Sequence, residues 1–155
     1  MTNRLDVLED WAAGLVGQLE PESRNKLARS IGQDLRRSQQ QRIIAQQNPD
    51  GSKYAPHKNP NLRRKKGRVK LKLKMFEKLR LARLFRFQGN ENAISVGFAG
   101  RVARIASVHQ HGSKDRAAKD APVVKYRKRE ILGFTDSDLT VIRKHLINYI
   151  SPTNL

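Results

Sequence analysis

The stretch "FRFQGNENAISVGFAGRVARIASVHQHG", residues 85–112, changes its hydrophobic period part-way through, and that change decides the fold. Before Gly100 the period is two. Phe85 and Phe87 alternate with Leu84 and Arg86, "QGNEN" supplies a turn, and Ile94, Val96 and Phe98 alternate with Ser95 and Gly97. Side chains that alternate in this way line one face of a strand, so the spacing predicts an antiparallel hairpin near 83–99 with one buried face. After Gly100, Val102, Ile105, Ala106 and His109 fall at i, i+3, i+4 and i+7, the spacing of one helix face, and predict a helix near 101–111. Gly112 then sits where a left-handed residue closes the helix at little steric cost.

Working outward, helical spacing dominates both ends. Leu5, Leu8, Ala12, Leu15 and Leu19, flanked by Trp11 and Val16, predict a helix near 3–19. Pro21 suits a first helical turn, Glu20 and Glu22 complement the positive end of the helix dipole, and Leu27, Ile31, Leu35 and Ile43 form the buried stripe of a helix over about 21–47. Arg24, Arg29, Arg36 and Arg37 are expected on its outer face. Asn48-Pro49-Asp50-Gly51 stops it, because the residue before proline avoids the helical basin and Asp-Gly favours a turn. A short helix is expected around Met75–Leu81, a polar loop at "SKDRAAKDAP", and a short strand at Val123–Tyr126. Thr135 and Asp138 have capping-box spacing for a last helix near 136–150, which carries Leu139, Ile142, Leu146 and Tyr149. The fold class is therefore α+β: two N-terminal helices, a small antiparallel sheet that includes the hairpin, and two further helices. The length, 155 residues, fits one domain.

Composition excludes several chemistries. The absence of cysteine removes disulfides, thiolate metal sites and cysteine nucleophiles together. The N-terminal residues lack an export signal, and no uncharged run approaches membrane-spanning length, so a soluble cytoplasmic product with no membrane partner is expected. His109 and His111 would point about 200° apart on a helix and could share an ion only on a strand. Asp115 and Asp120 lie in a separate loop, so no third ligand completes a metal site. Ser107 precedes His109 by two positions without the glycines of a nucleophile elbow, and no glycine-rich phosphate loop is present. No enzyme activity, cofactor or metal is expected.

Charge is the strongest compositional signal. The chain holds 32 Lys and Arg against 14 Asp and Glu, a net +18. Residues 63–86 hold twelve bases and one acid, Glu77, which places more than half of the excess in that one block. Within the long, Pro-, Gly- and Asn-rich loop expected at 51–74, Arg63, Arg64, Lys65, Lys66, Arg68, Lys70, Lys72 and Lys74 are the candidate partner-binding residues. Two partners fit them. One is an acidic protein surface; the other is nucleic acid, whose binding would weaken steeply with salt as released counterions are replaced. Phe76 is the one aromatic in the run 61–80, so base stacking is poorly supported.

Four segments, "LRRSQQQRIIAQQNPDGSKYAP" (35–56), "RRKKGRVKLKLKMFEKLR" (63–80), "RIASVHQHG" (104–112) and "YRKREILGFTDSDL" (126–139), resemble in order and spacing the phage virion morphogenesis family. The resemblance implies a structural, non-enzymatic role at the head-proximal end of a contractile tail, preparing it to join a DNA-filled head. It implies a small α+β subunit in a homo-oligomeric ring, sixfold like the tail, that meets tail-tube, terminator or neck proteins and DNA in the channel. The location implied is the virion, or a phage-tail-like bacteriocin particle, after assembly in the host cytoplasm. By the same resemblance, "QQNPDGSKYAP" is a fixed turn after the long helix, and Ile105, His109 and Gly112 belong to a structural helix and cap packed on the sheet.

Overall fold

The computed structural model describes residues 4–16, 19–56, 75–81, 83–116 and 119–150. Among these residues four α-helices, α1 (Arg4–Val16), α2 (Pro21–Ala45), α3 (Arg101–His111) and α4 (Asp136–Ile150), accompany four short strands, β1 (Phe85–Gly89), β2 (Ile94–Phe98), β3 (Lys114–Arg116) and β4 (Val123–Lys125). The architecture is α+β, as the change of period requires.

The 25-residue α2 is the spine. Its stripe Leu27, Ile31 and Leu35 meets Leu146 of α4, with Ala12, Leu19, Ile94, Val96, Ile142 and Tyr149 packed around them. Farther along, Ile43 meets Leu79, Ala106 and Ile131, with Phe76, Phe98 and Val102 at the margin. Burying each of these large aliphatic side chains stabilises the fold by about 1.5–3 kcal/mol. Of the arginines expected to face outward, Arg29 and Arg37 are exposed, whereas Arg24 and Arg36 are half-buried.

The hairpin forms in the expected place. β1 and β2 pair antiparallel from Phe85↔Phe98 to Gly89↔Ile94, and the Asn90 carboxamide accepts the backbone N–H groups of Asn92 and Ala93 inside the turn. Phe85 is fully buried and stacks on Phe98 with ring centroids 4.9 Å apart.

Three expectations need correction. The loop "SKDRAAKDAP" contains a strand: β3 pairs antiparallel with β4, so the described residues form two separate two-stranded sheets. The expected short helix at 75–81 is a single 3-10 turn, Glu77–Arg80, whose Leu79 is buried. The loop drawn from 51 is fixed at its start, because Tyr54 is 5% exposed and its N–H donates to the Gln46 carbonyl at 2.8 Å.

At α4 the capping box forms with aspartate in place of the usual glutamate. The Thr135 N–H donates to Asp138 Oδ2 at 2.8 Å, and the Asp138 N–H donates to Thr135 Oγ1 at 3.0 Å.

Candidate functional site

Residues 126–135 have no regular secondary structure, yet Ile131 within them is completely buried. Buried backbone groups need partners, and here side chains supply what a neighbouring strand would. Gln39 of α2 accepts the Gly133 N–H at 3.2 Å and donates to the Gly133 carbonyl at 2.6 Å. Gln110 of α3 does the same for Leu132, both bonds being 2.9 Å. Asn48 accepts the Glu130 N–H at 2.8 Å. Arg42, 7% exposed, donates to the carbonyls of Gly133 (3.0 Å) and Ile131 (2.9 Å) and to Gln39 Oε1 (2.5 Å). Its acceptors are thus neutral oxygens rather than a carboxylate. Burial pushes the Arg42 pKa down, and the Tyr54 oxygen, Asp138 and Glu130 partly offset this. Gly133 permits a close approach: a Cβ there would lie 2.5 Å from Pro49 Cγ.

This clasp continues into the root of the basic segment. Arg129, 4% exposed, donates through Nε to the Ala55 carbonyl (2.7 Å) and through Nη2 to the Pro56 carbonyl (2.9 Å). Its Nη1 lies 3.1 Å from His109 Nδ1. A guanidinium has only donors, so that nitrogen is the acceptor and the proton of the neutral ring sits on Nε2. Burial, and then the Arg127 charge, lowers the Arg129 pKa. On the other side of the segment, Gln46 accepts the Met75 N–H and donates to the Met75 carbonyl, both at 2.8 Å. An aromatic column closes the root: Tyr54 to Phe76 (5.6 Å between centroids), Phe76 to His109 (4.9 Å) and His109 to Tyr126 (5.0 Å), each edge to face. The two ends flanking the basic stretch are therefore anchored on the same body and meet through the rings of Tyr54 and Phe76.

The sequence-predicted site residues divide into two groups. Arg63, Arg64, Lys65, Lys66, Arg68, Lys70, Lys72 and Lys74 lie outside the described residues. His109 and Gly112 take structural positions. His109 is the centre of the column, and Gly112 closes α3 in the left-handed conformation with φ 64°. Ile105 does not pack as its spacing suggested: it is 49% exposed, and Ala106 takes the buried place. His111 is exposed, so the two histidines do not share a site. Among the described residues no group of three or more His, Asp or Glu side chains could hold a metal ion.

The sequence reading missed Gln39, Arg42, Gln110 and Arg129. Their one legible signal is that Gln39 and Arg42 continue the buried stripe of Leu27, Ile31 and Leu35 at helical spacing. It also missed a Ser–His–Asp contact, in which His145 of α4 lies 3.3 Å from Ser30 Oγ and 2.7 Å from Asp34 Oδ2 on α2. Ser30 and Asp34 are one turn apart inside α2, whose backbone N–H groups at that point are already bonded within the helix, so the helix itself offers the serine no oxyanion donor. The trio ties α4 to α2.

The segments that form the clasp and the root are the ones whose resemblance pointed to a family, and comparison with known proteins agrees. The model of the phage virion morphogenesis family matches residues 4–151. The chain belongs to this family. It is 37% identical over 149 residues, covering 96% of this chain and 98% of the relative, to "Tail completion protein S" of Escherichia phage P2. No solved structure matches at a significant level. In this member of the virion morphogenesis family, segments 35–56, 104–112 and 126–139 are the parts that hold the two roots of the basic stretch.

Proposed function

We propose that the chain is a structural, non-enzymatic protein of phage tail assembly. It forms a single domain that completes the head-proximal end of a contractile tail as a closed homo-oligomeric ring, sixfold like the tail, and makes that end competent to join the head. The name of the P2 relative supports the tail role. The observation that carries the finer reading is the clamped root. The structure fixes the chain at Tyr54–Pro56 and again at Met75–Phe76, on either side of eighteen residues that include Arg63, Arg64, Lys65, Lys66, Arg68, Lys70, Lys72 and Lys74. Holding both ends together lowers the entropic cost of presenting that charge to a partner, since the loop is closed before binding. Copies arranged about an axis would concentrate the positive field where an acidic tail-tube end or DNA lies.

The test is a phage lacking this gene. The expected result is full-length tails and filled heads that accumulate unjoined, with joining restored in extracts by the purified protein. Replacing Arg63, Arg64, Lys65 and Lys66 by serine should abolish the restoration while the melting curve is unchanged. Normal particle yield without the gene, or loss of the tails themselves, would overturn the proposal.

A further inference from the structure

The basic stretch holds a pattern that charge alone does not use. In "RVKLKLK", residues 68–74, Val69, Leu71 and Leu73 alternate with Arg68, Lys70, Lys72 and Lys74. In an extended chain this spacing sends the three apolar side chains to one side and the four bases to the other. An anionic partner answers the bases and leaves the apolar side without a cover.

A cover of matching chemistry exists on the same fold. An apolar groove of about 460 Å³ lies between α1, α2, α4 and the tip of the β1–β2 hairpin. Leu27, Ile31 and Leu35 of α2 line it with Leu8 and Leu146, and Phe134, which also lines it, is 46% exposed. Two exposed carboxylates border it, Glu9 on α1 and Glu91 in the hairpin turn, against one cation, Arg24, among the described residues. Arg24 Nε is buried and has no hydrogen-bond partner. A buried donor without an acceptor is unfavourable, and an extended guest brings backbone carbonyls that can accept from it. The apolar lining, the carboxylates and the orphaned donor thus answer the apolar side, the bases and the backbone of residues 68–74.

The guest comes from another copy. Met75 is bonded through its N–H and its carbonyl to the Gln46 side chain. Ile31, in the middle of the groove's α2 stripe, lies fifteen residues before Gln46, about 22 Å along the helix. A chain spans at most about 3.6 Å per residue, which keeps Leu73 within about 7 Å of Met75 and Leu71 within about 14 Å. Val69, Leu71 and Leu73 therefore cannot lie together on the Leu27–Leu35 stripe of their own copy. We propose, on the ring reading above, that residues 68–74 of one copy lie extended in this groove of the next, with Val69, Leu71 and Leu73 inward and the four bases outward. Segment and groove are different surfaces, so the contact is heterologous and repeats from copy to copy until a ring closes. The bases on the far side stay available to the anionic partner.

The chain has no cysteine, so thiols can be placed without background. The test puts Leu71→Cys and Ala93→Cys in one full chain, Ala93 being exposed and lining the groove. A short bismaleimide should join copies into a ladder on a denaturing gel, and a control chain with Leu71→Cys and Ser107→Cys, on α3, should give none. In a second variant, Val69→Ser, Leu71→Ser and Leu73→Ser keep every base. Self-association, read by light scattering after size exclusion, should weaken about tenfold or more as three aliphatic side chains lose their burial, with the circular dichroism melt unchanged. Linkage within single copies only, an equal ladder from the control, a triple-serine variant that associates like the wild type, or a wild type that stays monomeric would overturn the proposal. A ring seen at the tail end without the Leu71–Ala93 link would sink this interface alone, whereas head–tail joining without any ring would sink the ring reading itself.

Discussion

In the clasp, replacing a neutral glutamine should destabilise the protein more than replacing a buried charge. Gln39→Leu keeps the side-chain volume and removes the acceptor of the Gly133 N–H, 3.2 Å away, together with the 2.5 Å acceptor of Arg42 Nη2. The Gly133 carbonyl keeps its Arg42 donor at 3.0 Å. An orphaned buried N–H costs about 1–3 kcal/mol and the lost charge-assisted bond about 1.5–3, for a total of about 3–5 kcal/mol. Arg42→Met leaves the Ile131 carbonyl without the guanidinium, which costs about 1–3 kcal/mol, while Gly133 keeps Gln39 at 2.6 Å. Removing the guanidinium also removes its desolvation cost, so the net loss should be only about 1–2 kcal/mol. In the double variant the Gln39–Arg42 bond is lost once, so the two effects should fall short of additive by about 1–3 kcal/mol. Urea unfolding followed by circular dichroism at 25 °C measures all three, provided the denaturant slopes agree. A larger loss for Arg42→Met than for Gln39→Leu, or strict additivity, would refute the reasoning.

Four further outcomes follow from the geometry. Gly133→Ala would put a Cβ 2.5 Å from Pro49 Cγ and should cost about 1–3 kcal/mol in the same urea assay. Asp138→Ala removes the acceptor of the Thr135 N–H and should cost about 1 kcal/mol, with Thr135→Ala similar. Ile105→Ser should change stability by less than about 0.5 kcal/mol because the side chain is 49% exposed, whereas Ile131→Ala, at 0% exposure, should cost about 2–5 kcal/mol. Arg104, and then the Arg116 N–H, hold the Asp115 carboxyl below its ordinary value. Its stabilising contribution is therefore fully present above the ordinary aspartate pKa and lost as pH falls through the lowered one, and amide exchange at β3 should quicken over that acid range before exchange in α2 does.

Whatever follows from periodicity and local turn chemistry was legible in the sequence. The switch from period two to helical spacing around Gly100 placed β1, β2 and α3, and Thr135 with Asp138 placed the start of α4. Ile105 was misplaced because i+3 and i+4 both satisfy a helical stripe. The choice between it and Ala106 depends on how closely Ile43 and Ile131 approach, which no local pattern records. β3 was illegible because Lys114, Asp115 and Arg116 show no apolar alternation; pairing with β4 and the bond to Arg104 define the strand. The clasp was hidden for a related reason. Gln39, Arg42 and Gln110 look like solvated polar residues until the distant 129–133 segment is laid against them. The candidate partner-binding residues were legible as charge alone, since a run of like charges predicts a field and not a shape.

The most direct test of the tail reading is a cryo-EM map of the head-proximal end of assembled tails. The account predicts a closed ring of this fold there, sixfold about the tail axis, with residues 57–74 of each copy against the tube end or the channel. Infectious particles whose tail ends carry no copy of the chain would contradict it.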